Sequence, residues 1–263
     1  YPAGWVARRR FAQALADEPA DLALLLPGSF ESALAARLWR ARRRVGFASD
    51  GRRLLLSDPL PLPAPRLHQV DEYLLLASAA GVEVAGRLPL WRLPPDPSAE
   101  AEVDGLLREA GASPGGRLVG LHLGAAAGPA KRWTAHSFAM LADALTEAGL
   151  APLLLGSAAD GPGADQVRSA SRSSPRSLVG RDRPALLPPL LRRLSCLVSG
   201  DTGVAHLAAA LSVPTVTLFG PTDPRLTAPR SPRAQVVHGG APCAPCFRGR
   251  CPIDHGCMRG ITV

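Results

Sequence analysis

The stretch GDTGVAH, residues 200–206, places Gly200, Asp201, Thr202, Gly203 and His206 between an apolar run and a small-residue helix. A tight turn needs the glycines, but it does not need three polar side chains beside them. The free N–H groups and the positive dipole end of a helix starting near Val204 favour an anion, above all a phosphate. Gly200 and Gly203 let the backbone approach such a ligand closely, Thr202 offers a hydroxyl, and His206 sits on the first helical turn. A plainer account uses the same residues: Asp201 or Thr202 caps the helix and His206 is a surface histidine.

Two further segments carry the same kind of chemistry. LHLGAAAGPAKRW (121–133) is a compact loop of small residues that ends near Lys131. It contains neither a Walker loop nor a G-x-G-x-x-G fingerprint. Of the 30 cationic side chains, 29 are Arg and Lys131 is the one Lys. A chain that supplies Arg almost everywhere and keeps one Lys points to a compact ammonium, as in phosphate binding; an exposed lysine on a loose loop is the alternative. In GSAADGPGAD (156–165), Asp160 could accept hydrogen bonds from sugar hydroxyls, or be a solvated loop acid. Near the end, Cys243, Cys246, Cys251 and Cys257 are spaced C-x2-C-x4-C-x5-C with His255 among them. Zinc ribbons also begin C-x2-C but need two well-separated knuckles, and here the second half is cramped. The expectation is a reduced structural loop and no metal. Cys196 falls in a core strand and acts as a small hydrophobe.

Elements must bring these segments together. Apolar strand-like runs alternate with helix-length segments, the mark of a layered α/β fold. The spacing predicts strands at DLALLL (21–26) and RVGFA (44–48), with helices over 30–42 and 69–80. GRLPLWRLPPDP (86–97) has four prolines and reads as a boundary, giving domains at 1–92 and 93–263. The second half predicts a helix near 98–110 and strands at RLVGLHLG, LAPLLLGS, SLVG, SCLVSG and TVTLFG. Helices are expected at TAHSFAMLADALTEAG, near 164–172 and over RPALLPPLLRRL. Five or six strands with intervening helices make a doubly wound, Rossmann-like domain, whose ligands bind at the carboxyl ends of the strands.

Composition bounds the partners. Hydrophobic residues make up 46% of the 263, ordinary for a globular protein. No apolar run is long enough to cross a bilayer. The formal charge of +8 fits either an anionic surface such as phosphorylated lipid or a coding bias toward arginine. Aromatics are 5% and do not interleave with arginine, which argues against nucleic acid. The chain opens Tyr-Pro and has Met only at 140 and 258, so it is expected to be a fragment.

GDTGVAHLAAALSVPTVTLFGPTDP (200–224) resembles the donor-site segment of the lipopolysaccharide heptosyltransferases, glycosyltransferase family 9. GPAKRW (128–133) and LLGSAAD (154–160) are similar to that family's other two donor loops, in the same order. LALLLPGSFESAL (22–34) and CAPCFRGRCPIDHGCM (243–258) look like its heptosyltransferase II branch. The resemblance covers roughly residues 20–262. It implies a GT-B fold, two Rossmann-like domains facing across a cleft, the first incomplete here. It also implies an inverting transfer of heptose from ADP-L-glycero-D-manno-heptose to the lipid A inner core, at the cytoplasmic face of the inner membrane, with no metal or cofactor for the chemistry. Lys131 would be catalytic, and Lys131, Asp160, Asp201, Thr202, Gly203 and His206 would hold the donor. The family's general base, an Asp on an opening glycine-rich loop, would lie before residue 1, so the chain as given is expected to be inactive on its own. The loop LGAAAG departs from the family's Pro-Gly-Ala start, and the glutamate that usually follows Asp160 is missing. Two other readings stay open: a family 9 transferase using another nucleotide sugar, and a non-enzymatic module that binds zinc and nucleic acid.

Overall fold

The computed structural model describes residues 5–14, 20–84, 93–113, 115–181 and 183–263. The chain divides into two compact units, residues 1–88 and 89–263. The boundary expected after residue 92 falls at the edge of 85–92, outside the described residues.

In the first unit, helix α1 (Trp5–Ala14) precedes β1 (Leu22–Leu25), α2 (Phe30–Leu38), β2 (Arg43–Phe47), β3 (Asp58–Leu60) and α3 (Gln69–Ala79). The three strands form a parallel sheet in the order β1-β2-β3. The helix expected over 30–42 stops at Leu38, because Arg40 turns left-handed at φ 58° and sends the chain into β2. Arg52 is wholly buried and ties the strand ends together. Its Nε donates to the Phe47 carbonyl at 2.8 Å, and Nη1 donates to Ser29 O and Ser32 Oγ at 3.2 and 3.1 Å.

The second unit runs α4 (Pro97–Glu109), β4 (Leu118–His122), α5 (Ala135–Glu147), β5 (Ala151–Leu155), α6 (Gly161–Ala170), β6 (Arg176–Ser177), α7 (Leu187–Arg192), β7 (Leu194–Gly200), α8 (Gly203–Ala210), β8 (Thr215–Phe219), α9 (Pro224–Thr227), β9 (Ala234–His238) and α10 (Gly256–Arg259). Its six strands are all parallel, in the order β6-β5-β4-β7-β8-β9. Counted from β4, that is 3-2-1-4-5-6, the doubly wound order, with its switch point between β4 and β7.

Local chemistry explains the elements. Asp96 caps α4, accepting from the N–H groups of Ser98 and Ala99, with Pro97 just inside, where its missing donor costs nothing. Thr134 caps α5, and Gly149 at φ 73° ends it with the left-handed residue that closes many helices. Central strand β4 is buried at every position, as a parallel strand covered on both faces must be. Neighbouring residues then serve opposite cores. Leu153, Leu155 and Leu197 pack with Val103, Leu107 and Leu191 on one face. Leu154 and Val198 pack with Phe138, Ala142 and Val167 on the other. Each fully buried leucine contributes about 1.5–3 kcal/mol.

Two boundaries and two strands differ from expectation. α6 starts at Gly161 rather than near 164, because the Ser157–Asp160 capping box begins the turn earlier. α7 covers only 187–192 of the segment 183–194. The strands β3 and β9 were not foreseen; Pro59 in β3 and the largely exposed β9 both mask the usual strand pattern.

Candidate functional site

β4 and β7 flank the switch point, and the loops leaving their carboxyl ends carry Lys131 and Asp201. Lys131 ends a single 3-10 turn, Pro129–Lys131. Asp201 follows the last residue of β7. The Lys131 ammonium donates to Asp201 Oδ2 at 2.6 Å and lies 3.5 Å from the Asp201 carbonyl oxygen. The two side chains are 18% and 8% exposed, so the pair is shielded from bulk water yet still reachable. Thr222 donates its hydroxyl to the same Oδ2 at 2.9 Å. The approach is close: a Cβ on residue 200 would lie 3.0 Å from the Lys131 carbonyl oxygen, which explains glycine there.

Beside this pair α8 begins. Thr202 is its N-cap residue but makes no capping bond with its side chain; its hydroxyl instead lies 3.0 Å from Ser199 Oγ. The Ala205 N–H turns back to the Thr202 carbonyl at 3.1 Å, and the helix opens at exposed Gly203. His206 is exposed, three residues beyond Gly203 and four beyond Thr202, on the same side of the helix. A lysine ammonium, a helix N-terminus and a hydroxyl thus gather at one strand-end rim, the arrangement an anion requires.

Asp160 belongs to a second cluster. It is buried; its Oδ1 accepts from Arg132 Nη2 at 2.9 Å, and its Oδ2 accepts from the Ser157 N–H and hydroxyl at 3.0 and 2.8 Å. Both carboxylate oxygens already have protein partners, so the structure gives Asp160 a capping and anchoring part. A cavity of about 130 Å³ opens beside it, lined by Arg132, Trp133, Phe138 and Gln166. Between the clusters lies His122, the last residue of β4, buried and 3.4 Å from Ser199 Oγ through Nδ1. Burial pushes its pKa down, and nearby Asp160 partly offsets that.

The cysteine segment packs around a separate cavity of about 390 Å³, lined by all four of its cysteines with Asp254 and His255. All five cysteines are free. The Cys257 thiol is pushed up by burial and then by Cys243, Cys246 and Cys251 nearby. Among the described residues no three His, Cys, Asp or Glu are placed to hold a metal ion. A cavity of about 530 Å³ lies in the first unit against β1 and α2; among the described residues its lining is mostly apolar, with no cationic side chain.

Sequence reasoning missed Thr222, Ser199 and His122, and noted His255 only inside the cysteine loop. Thr222 had a signal: FGPTDP follows β8, so it is a fourth strand-end loop on the same rim. His122 had none beyond its position at the end of an apolar run.

Residues 8–256 match the family described as Glycosyltransferase family 9 (heptosyltransferase). The chain is 34% identical to the lipopolysaccharide heptosyltransferase 2 of Salmonella typhimurium over 246 residues, covering 88% of this chain and 68% of that one. It is 32% identical to the Escherichia coli K12 protein of the same name, with the same two coverages. It therefore spans about two thirds of these relatives' length. The solved structure of the E. coli ADP-heptose LPS heptosyltransferase II superposes with a TM-score of 0.74 at 29% identity, covering 88% of this chain and 72% of that one. That likeness shows the expected α/β fold of parallel sheets, the GT-B class.

Proposed function

This chain belongs to glycosyltransferase family 9, and from that premise we propose that it is an inverting heptosyltransferase, moving heptose from ADP-L-glycero-D-manno-heptose to the inner core of lipopolysaccharide. The relatives at 34% and 32% identity are named lipopolysaccharide heptosyltransferase 2, which supports transfer of heptose to lipopolysaccharide. The observation that supports the donor site is the Lys131–Asp201 contact of 2.6 Å at the switch point.

The chemistry follows from the geometry. An acceptor hydroxyl attacks the anomeric carbon while the bond from that carbon to the diphosphate breaks. The sugar passes through an oxocarbenium-like state, and the bonding pair leaves on the diphosphate oxygen. Donors already aimed at that oxygen lower the barrier without reorganising. Lys131 supplies a charge-assisted hydrogen bond. The N–H groups at Thr202 and Gly203 and the α8 dipole supply the rest. Asp201 does not touch the phosphate, which would repel it; it holds the Lys131 ammonium in place. His206 bonds the donor from the next turn of α8. Asp160 acts through Arg132 and the start of α6, shaping the wall beside the nucleoside. The hydroxyl proton goes to a carboxylate on the acceptor side.

The inner-core acceptor is carried on a phosphorylated lipid, and the formal charge of +8 supports peripheral contact with an anionic bilayer. Among the described residues no helix is long and apolar enough to cross a membrane. The direct test measures ADP release from ADP-L-glycero-D-manno-heptose with a truncated inner-core acceptor, beside a panel of other nucleotide sugars. The expected result is ADP-heptose as the preferred donor. Preference for a UDP-sugar would instead make the chain a family 9 transferase of another specificity.

A further inference from the structure

The segment 239–257 lies directly against the turn that carries Lys131. Ala130, one residue earlier, is held on both of its backbone groups. Its N–H donates to the Gly249 carbonyl at 3.1 Å, and its carbonyl lies 2.5 Å from His255 Nε2. The two backbones run so close that a Cβ on residue 128 would sit 2.2 Å from the Gly249 oxygen. At its other end the same segment reaches the far partner of Asp201. The N–H groups of Cys246 and Phe247 donate to the Pro221 carbonyl at 3.0 and 2.8 Å, one residue before Thr222. One loop therefore fixes the residue before Lys131 and the residue before Thr222, and both side chains converge on Asp201 Oδ2.

His255 is built for a fixed aim. It holds a left-handed backbone, φ 63° and ψ 30°, a conformation costing about 1–3 kcal/mol for a non-glycine residue and kept only where surroundings impose it. Cys257 and Met258, two and three residues further on, anchor α10 in the core. Because a carbonyl can only accept, Nε2 carries the hydrogen. Both the neutral Nε2–H tautomer and the imidazolium make the bond.

We infer that His255 is a positioning residue for Lys131: by holding the Ala130 carbonyl it sets the Pro129–Lys131 turn so that the ammonium meets Asp201. It acts through Lys131 and does not touch the donor. The inference rests on the donor-site reading for its link to function, but its structural half can be tested separately.

Lys131 is the chain's one lysine, so [15N]lysine labelling of the whole chain yields a single Nζ signal. Asp201→Asn should move that signal toward the position of a solvent-exposed lysine, and His255→Ala should move it the same way. His255→Gln, whose amide nitrogen reaches as far, should keep it near wild type. If His255→Ala does not fold, His255→Asn carries the comparison, since asparagine tolerates the left-handed backbone but falls short of Ala130. In ADP titrations His255→Ala should weaken binding about three- to tenfold, the equivalent of one hydrogen bond. In a Lys131→Ala background it should cost nothing further. An unmoved signal in His255→Ala, an unmoved signal in Asp201→Asn, or a full loss persisting without Lys131 each overturns the inference. A wild-type chain that fails to bind ADP sinks the donor-site reading instead, and the Nζ signal still decides whether His255 places Lys131.

Discussion

Replacing Lys131 by alanine tests the donor site through the sign of a second substitution. In the donor site proposed above, the ammonium gives the diphosphate one charge-assisted hydrogen bond, worth about 1.5–3 kcal/mol. At 1.4 kcal/mol per tenfold, its loss weakens ADP binding about 10- to 150-fold. The structure adds a second penalty. Asp201 stays where it is, because Thr222 still donates to its Oδ2 at 2.9 Å, and its charge now faces the phosphate without a counterion. At about 5 Å and an effective dielectric of 20, each unit of phosphate charge meets a gross repulsion of about 3 kcal/mol, cut further by solvent and salt. The loss should therefore fall in the upper part of the range. Asp201→Asn in the Lys131→Ala background should recover about tenfold in affinity. Breaking the pair also costs stability. With side chains 18% and 8% exposed, it lies between exposed pairs at about 0–1 kcal/mol and buried ones at about 3–5 kcal/mol. A drop of about 2 kcal/mol is expected by urea denaturation, so titrations belong well below the transition. Calorimetric ADP titration of wild type, Lys131→Ala and the double variant decides the matter. Wild-type affinity in Lys131→Ala, or further weakening in the double variant, would refute the electrostatic argument.

Two other substitutions probe how the site is held. Gly128→Ala adds a Cβ 2.2 Å from the Gly249 carbonyl at φ 123°, so two backbones must part; a loss above about 3 kcal/mol in urea denaturation is expected. Gly111→Ala is the control, at φ 71° with only the flexible Arg176 side chain 3.5 Å away, and should cost about 1–2 kcal/mol. His122 supplies a pH dependence. Burial lowers its folded pKa beneath the unfolded value of about 6.5, so between the two values the unfolded chain binds more protons. Its contribution is complete above about pH 7 and is lost as pH falls below 6.5. The stability gap between wild type and His122→Gln should narrow from pH 7.5 to pH 5, and a gap that widens on acidification would contradict the assignment.

Much of the second unit was legible because its signals are local. LVGLH and LSCLVSG are short, mainly apolar runs, and Asp96, Thr134 and Gly149 mark helix ends by side-chain and backbone chemistry alone. The strand order was legible only as a class, since nothing in β9, with four of its five residues exposed, announces an outer strand. The turn and helix start at Gly200–His206 could be read from the two glycines and the small-residue run that follows them. The partner of each polar group could not. Asp201 was expected to orient the loop or the sugar, and it orients a side chain 70 residues away in sequence. Asp160 was expected to meet a ribose, and its oxygens are taken by Ser157 and Arg132. Such pairings depend on how loops from different strands settle together, a property of tertiary packing and not of spacing. His255 shows the limit most clearly: the spacing placed it only inside a reduced cysteine loop, while its bond runs to a backbone carbonyl 125 residues earlier.

The pair Lys131-Arg132 explains why the loop after β4 can organise the whole rim. Arg132 leaves the 3-10 turn in an extended conformation, φ −81° and ψ 128°, and successive side chains on extended backbone point to opposite sides. Lys131 accordingly turns to Asp201 in the loop after β7, and Arg132 turns to Asp160 in the loop after β5. Those are the two strands that flank β4. One dipeptide on the central strand thus fastens both neighbours, and the switch-point crevice is bounded by two ion pairs that share a backbone. The chemistry also separates the cations. Arg132, with its side chain 43% exposed, has room for a planar fork with one nitrogen on the carboxylate. At position 131 the ammonium, within 2.6 Å of Oδ2 and walled in by the close pass at Gly200, has room for a point charge that can bond Asp201 with one hydrogen and a phosphate with another. In a chain that otherwise uses arginine for every cation, that confinement is a physical reason for its single lysine.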